Sequence, residues 1–120
     1  MTKRKDVAPL DSQVVEDIAR DCSLRAQKGE FVIIYSTHAR EQMEKRNIDQ
    51  KHVLQVLEFG RMVEDQTRFN EEENDYSYLL RDQDVEERDM AVSIAITSSG
   101  GQKVIVVTTM LIDPLTGKYI

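Results

Sequence analysis

His38 and Arg46 lie in one predicted helical segment and supply an imidazole that can act as a base and a guanidinium cation. A histidine at the start of a helix can accept a proton near neutral pH, because the helix dipole disfavours its imidazolium form. Arg46 continues a partly apolar stripe that is expected to pack on a sheet, so its cation would lie at the rim of that sheet. This pair predicts a phosphate site. The alternative is that His38 is a half-exposed residue of the helix cap region.

Several nearby polar residues have simpler structural interpretations. Arg40 and Glu44 form an i, i+4 pair of opposite charge, which favours a structural role. His52 is interpreted as an exposed side chain in the first turn of a helix. Tyr76 and Tyr78 are interpreted as residues that pack on the face of a strand.

Two helices joined by a tight bend are predicted to position these residues. Residues 38–46 contain no Gly or Pro, and Thr37 can cap this first helix. Asp49 can cap a second helix over residues 50–59, which ends before Gly60. The apolar face of the second helix consists of Val53, Val56 and Leu57.

An additional helix is predicted near the N-terminus. Asp11 or Ser12 can cap it, and Gly29 can end it. Apolar residues recur in it at three- and four-residue spacing: Val14, Val15, Ile18, Ala19, Cys22 and Ala26. Cys22 on this stripe is expected to be a small core residue, because no feature of the sequence supplies the base or cation that would lower its pKa.

Runs of β-branched and aromatic residues predict strands at 31–35, 61–69, 76–81, 90–97 and 103–111, with a hairpin signal at 98–101. The last three form an antiparallel meander, with one face of residues 90–97 toward the helices: Met90, Val92, Ile94 and Ile96. The order of elements predicts an α+β fold, in which N-terminal helices pack on one face of a twisted, mainly antiparallel sheet of four to five strands.

The length of 120 residues suits one domain over residues 10–120, preceded by a flexible basic tail over residues 1–9. No apolar run is long enough to cross a bilayer and no signal peptide is recognisable, so a soluble, cytoplasmic protein without membrane contact is predicted. One cysteine and no Cys or His cluster with zinc spacing indicate that neither a disulfide, a metal nor a cofactor is needed.

The net charge of −6 is unevenly distributed. Residues 71–89 contain nine acids and two bases, a net of −7, whereas the other 101 residues carry a net of +1. The two dense acidic patches, 71–75 and 82–87, are interpreted as solvated loops. The overall sign therefore excludes a uniformly cationic surface but leaves room for a local RNA-binding surface.

The helical segment resembles a bacterial family known as a domain of unknown function, number forty-two fifty-eight. The matching residues are Tyr35-Ser36-Thr37-His38-Ala39-Arg40, Met43, Arg46-Asn47-Ile48, Val53, Val56 and Leu57. The likeness extends over about residues 31–112 and includes Tyr78-Leu79-Leu80 as the central strand. Asn47 replaces the usual Gly, and Asn also tolerates a left-handed turn.

Members of that family look related to the RelE-like toxins of type II toxin–antitoxin pairs, including the MqsR and BrnT branches. The resemblance implies a small endoribonuclease whose active site is an open surface of the sheet, with a cognate antitoxin protein as partner. In such metal-independent enzymes the RNA 2′-hydroxyl attacks the adjacent phosphorus, which requires a base, an acid and cations.

Carried onto matching positions, the resemblance implies His38 as base or acid and Arg46 as the cation that stabilises the phosphorane. Arg40, Tyr78 and Arg81 are further candidates for contact with the RNA. The alternative is a non-catalytic interaction module on the same fold, which binds a basic protein through the acidic loops.

Overall fold

Three helices occupy the first half of the chain: α1 (Ser12–Gln27), α2 (Thr37–Lys45) and α3 (Gln50–Phe59). The computed structural model describes residues 8–71, 75–85, 88–97, 103–113 and 115–119. Residues 1–7 of the predicted tail (1–9) and the predicted hairpin turn at 98–101 lie outside these residues. These helices confirm the three that were predicted from the sequence.

Polar side chains cap each helix. Asp11 accepts a hydrogen bond from the Gln13 amide and begins α1, as predicted. The cap of α2 is Ser36 rather than Thr37, and its Oγ accepts from the Ala39 amide at 3.0 Å. Either hydroxyl suits this position chemically, so the sequence pattern placed the cap one residue late.

α3 begins with a reciprocal cap that changes the interpretation of His52. The Asp49 side chain accepts from the backbone of His52, and the His52 Nδ1 accepts from the Asp49 amide at 2.9 Å. His52 is buried rather than exposed, because the capping box holds its ring against the protein.

The strands are β1 (Ile34–Tyr35), β2 (Arg61–Met62), β3 (Arg68–Asn70), β4 (Asp75–Val85), β5 (Arg88–Thr97) and β6 (Lys103–Leu111). They form one sheet in the order β1-β6-β5-β4-β2, with β3 also paired to β4. All pairings are antiparallel except that of β1 with β6. The α+β prediction is confirmed, with six strands in place of four to five.

All three helices pack on one face of the sheet. One hydrophobic cluster joins Val15, Ala19 and Cys22 of α1, Ala39 of α2, and Val53, Val56 and Leu57 of α3 to the strands. The strand residues in this cluster include Met90, Val92, Ile94 and Ile96, as predicted from their alternation. We call the opposite side of the sheet, on which no described helix packs, the uncovered face.

A β-bulge in β6 keeps the two faces distinct. Ile94 is opposite Val106 but Ser93 is opposite Thr108, so Val107 has no counterpart on β5. The extra residue shifts the alternation by one position, and Thr109 beyond the bulge is buried like Val104 and Val106 before it. Thr108 is thereby turned to the uncovered face.

Three other segments differ from the prediction. Within 31–35 only Ile34–Tyr35 forms a strand, at the sheet edge, with Val32 exposed. Segment 61–69 divides into β2, a 3₁₀ turn at Glu64–Gln66 and the start of β3. The acidic patch at 82–87 is not wholly a loop, because β4 extends to Val85. Alternating composition alone does not reveal these interruptions.

None of the helices in the described part of the chain is both long and apolar enough to cross a membrane.

Candidate functional site

The uncovered face carries a row of polar side chains on otherwise apolar strands. Ser77 is opposite Ala95, and Leu79 is opposite Ser93. Ser93 is in turn opposite Thr108. Side chains alternate between the faces of a strand, so these residues point away from the helix-packed core. Single polar side chains on three neighbouring strands therefore lie among apolar ones on this face.

A cavity of about 260 Å³ lies on this face. Its polar lining consists of Gln66, Arg68, Ser77, Ser93, Thr108 and Tyr119. Leu79 and Met110 complete it, and both also belong to a small apolar cluster around Ala91 and Ile112. The site is a shallow concavity with an apolar floor and hydroxyl, amide and guanidinium groups around it, a composition that suits a polar ligand.

Arg68 supplies a cation to this cavity. Its side chain is exposed, and Nη1 donates to the carbonyl oxygens of Asp65 at 2.8 Å and Thr67 at 3.0 Å. These bonds hold the guanidinium without neutralising it, and no carboxylate among the described residues pairs with it. Arg68 can therefore attract an anion.

Arg81 provides a second guanidinium near the cavity. Its Nε and Nη2 donate to the two carboxylate oxygens of Asp89, at 3.1 and 2.5 Å. The hydrogen bond to Asp89 raises the pKa of Arg81 further, and Tyr119 contributes to the same rise through charge interaction. Arg81 is two residues beyond Leu79 on β4 and therefore on the same face, and Leu79 lines the cavity.

The start of α2 is fastened to the strand that borders this cavity. Ser36 donates through Oγ to the carbonyl of Val107 and through its amide to the carbonyl of Val106, both at 2.9 Å. Val107 directly precedes Thr108, which lines the cavity. His38 follows Ser36 by two residues and is exposed. These contacts fix the start of α2, and with it His38, at the edge of the sheet beside β6.

Arg46 lies at the opposite end of α2, where it is the C-cap residue. Eight residues of helix separate the Cα atoms of His38 and Arg46 by about 12 Å. Arg46 is half-buried, with Nη1 inside the protein. The sequence predicted His38 and Arg46 as a pair on one helix, whereas in the structure they lie at the two ends of α2.

Arg40 and Tyr78, which were predicted to contact RNA, differ in their exposure to solvent. Arg40 is exposed on α2. Tyr78 is fully buried in the core, and its hydroxyl accepts a hydrogen bond from the Leu10 amide at 2.9 Å. A side chain enclosed in this way has no surface for an RNA, so we assign Tyr78 a packing role, which the sequence had offered as its simpler interpretation.

Sequence reasoning did not select Arg68, Thr108 or Tyr119 as site residues. A signal for part of this face was present, since single polar residues interrupt apolar strands at Ser77 and Ser93. Their joint position depends on the strand register and on the bulge, which the sequence does not reveal.

Among the described residues, no cluster of three or more His, Cys, Asp or Glu side chains has the geometry to hold a metal ion.

Comparison with known proteins identifies a family. No curated protein and no solved structure matches the chain significantly. One family model matches residues 35–110, from the end of β1 almost to the end of β6, and thus includes α2, α3 and the strands that form the cavity. The chain belongs to the family described as Domain of unknown function (DUF4258).

Proposed function

We propose that this protein is a metal-independent endoribonuclease of the toxin type, and that its RNA substrate lies across the uncovered face. The observation that carries the proposal is the cavity on that face, where Arg68 is held by backbone carbonyls with its charge open to an anion. The resemblance to RelE-like toxins supports the same face, because it implies an active site on an open sheet surface.

Phosphodiester cleavage requires a cation at the phosphate and a base for the 2′-hydroxyl, and we assign these roles to Arg68 of the cavity and to His38 at the β1 edge of the sheet. Arg68 contacts the reacting phosphate and stabilises the charge of the phosphorane, and Arg81 contacts a neighbouring phosphate. His38 takes the proton of the 2′-hydroxyl, whose oxygen attacks the adjacent phosphorus. The bond from phosphorus to the 5′-oxygen breaks, and that oxygen accepts a proton. The products are a 2′,3′-cyclic phosphate and a 5′-hydroxyl end.

The position of Arg46 changes its role in this scheme. Because it is half-buried and lies about 12 Å from His38 along α2, we assign the contact at the reacting phosphate to Arg68 rather than to Arg46. Arg40 and Arg46 belong to α2, which packs on the opposite face of the sheet, so we assign them no contact with this RNA. A cognate antitoxin that covers the uncovered face would block the substrate.

The test is cleavage of single-stranded RNA in the presence of EDTA. We expect His38→Ala and Arg68→Ala each to reduce the rate at least tenfold. Glu41→Gln, on the same helix as His38, and Arg20→Ala, an exposed arginine of α1, serve as matched controls and should retain the wild-type rate. Undiminished cleavage by both site variants would contradict the proposed site.

The interaction module gives a different outcome in the same experiments. It predicts no cleavage of any RNA by the wild type, and capture of a basic protein that is lost when residues 71–73 are replaced by Ser.

A further inference from the structure

An aromatic ring is exposed at the edge of the sheet next to the uncovered face. Phe59, the last residue of α3, keeps 62% of its surface exposed. It lines a second cavity, of about 370 Å³, together with Arg61, Met62, Val63, Arg81 and Asp82. The fold already fills its core with other side chains, so this ring is available to a ligand.

Gly60 fixes the position of this ring. A Cβ at Gly60 would overlap the carbonyl oxygen of Val56 and approach that of Arg81 to 3.3 Å. A side chain at this position would collide with the last turn of α3 and crowd β4, so glycine allows the chain to leave the helix here. The close passage holds Phe59 on one side of Gly60 and Arg61 on the other, both beside Arg81.

Two guanidinium groups accompany the ring. Arg61 is highly exposed, and its Nη1 lies 3.3 Å from Oε1 of Glu16. The other oxygen of Glu16 accepts from the Met62 amide at 2.9 Å, which fastens β2 to α1. Arg81 is bound to Asp89 through Nε and Nη2, so its Nη1 lies outside that pair. Each arginine is positioned by one carboxylate and still presents N–H groups to the cavity.

The second cavity is adjacent to the candidate active site. Val63, which lines it, donates through its amide to the carbonyl of Leu79 at 2.8 Å, and Leu79 lines the first cavity. Val63 also packs in the same apolar cluster as Leu79 and Met110. Two cavities this close can hold neighbouring parts of one RNA strand.

We propose that the edge cavity is a nucleotide subsite, in which a base stacks on Phe59 while Arg61 and Arg81 contact its phosphate. The inference rests on the proposed function and adds the substrate class: single-stranded RNA, because a base in a duplex has no free face for stacking. Stacking on a phenyl ring tolerates every base, so this subsite provides affinity rather than sequence specificity.

The test uses a fluorescein-labelled, eight-nucleotide 2′-O-methyl RNA, which cannot be cleaved by 2′-hydroxyl attack. We expect Phe59→Ala to weaken its binding about tenfold in fluorescence anisotropy, and Phe59→Tyr to bind like the wild type. Leu24→Ala, a change at an exposed apolar residue of α1, is the matched control. An abasic strand of equal length should bind wild type and Phe59→Ala equally.

Three outcomes would overturn the subsite. The first is no binding of the RNA strand by the wild type, and the second is equal binding by the wild type and Phe59→Ala. The third is that Phe59→Ala weakens binding of the abasic strand as much as that of the strand with bases. Cleavage of natural RNA in EDTA is measured separately. Cleavage with equal binding by Phe59→Ala refutes the subsite alone. A base-dependent loss of binding without any cleavage supports the subsite and refutes the nuclease.

Discussion

Arg81 and Asp89 form a two-point ion pair on the uncovered face, with distances of 3.1 Å from Nε to Oδ1 and 2.5 Å from Nη2 to Oδ2. Arg81 is opposite Ala91 in the register, so the pair is diagonal across two neighbouring strands. Asp89 thus fixes the guanidinium and also offsets its charge where the RNA is proposed to lie.

Replacement of Asp89 by Asn should therefore strengthen RNA binding. The neutral amide keeps the shape of the side chain but leaves the Arg81 charge uncompensated. We expect about threefold tighter binding at low salt, with the slope of log affinity against log salt steeper by about 0.7, as for one more phosphate contact to a single strand. Titration of the noncleavable RNA at several salt concentrations measures both. Asp17→Asn on α1 is the control, and an unchanged slope would show that Arg81 does not face the bound strand.

Glu16 joins α1 to the edge strand β2, and its removal should destabilise the protein. Its buried carboxylate accepts from the Met62 amide and the Arg61 guanidinium. Glu16→Ala leaves the Met62 N–H without this acceptor and should lower the free energy of unfolding by about 1–3 kcal/mol. Glu16→Gln retains an oxygen acceptor and should therefore lower the free energy of unfolding by less than Glu16→Ala does. Urea denaturation measures both, with exposed Asp17→Ala as the control. An equal loss for Gln and Ala would exclude the hydrogen bond as the cause.

Alanine substitutions at two glycines should separate crowding from backbone strain. Gly60→Ala forces a methyl group against the Val56 carbonyl, and we expect a loss of about 2–3 kcal/mol. Gly29 has a φ of +75° with open space around it, so Gly29→Ala carries only the left-handed backbone cost of about 1 kcal/mol. Urea denaturation of both variants provides the comparison. A greater loss at Gly29 would contradict the close contact of Gly60 with the Val56 carbonyl.

Cys22 should be unreactive in the folded protein and should make stability depend on pH. Burial, with a smaller contribution from Asp21, raises the pKa of its thiol from 9.0 to about 11. At pH 8 the thiolate fraction is therefore about a hundredfold lower than in the unfolded chain, and alkylation by iodoacetamide, followed by mass spectrometry, should slow at least as much.

The sign of the pH effect follows from the raised pKa of Cys22. Below pH 9 both states keep the proton and the full stability is present. Between pH 9 and about 11 the unfolded thiol ionises while the folded one does not, so the free energy of unfolding falls. Tyr35, whose pKa burial raises from 10.0 to about 12, extends this fall to higher pH. The free energy of unfolding of Cys22→Ala should fall less steeply over pH 9–11 than that of the wild type. Equal slopes for the two proteins would contradict the assignment of this pH effect to Cys22.

The sequence predicted what local physics determines. Helix spans followed from apolar periodicity, and Gly29 and Asn47 take the left-handed conformations expected of residues that end a helix or form a bend, with φ of 75° and 55°. The inward face of β5 followed from alternation. In these cases neighbours along the chain are sufficient to fix the structure.

The candidate site was predicted only in part, because it is formed by distant segments. His38 was selected from its place on a helix, but its position at the edge of the sheet depends on the contact of Ser36 with Val107. Arg68 enters the site through the pairing of β3 with β4. The burial of His52 depends on a reciprocal cap rather than on composition. Such relationships arise from register and side-chain geometry, which periodicity does not contain.

The pairing of β1 with β6 has a consequence for how the protein folds. The meander of β4, β5 and β6 joins neighbours in the chain, whereas the contact of Ser36 with Val107 spans 71 residues. Contacts of long sequence separation close large loops and therefore form slowly. During synthesis α2 and α3 leave the ribosome well before β6 does, so the contact of Ser36 with Val107 can form only after β6 has been made. The start of α2, which carries His38, is thus fixed on the sheet later than its own helical structure can form.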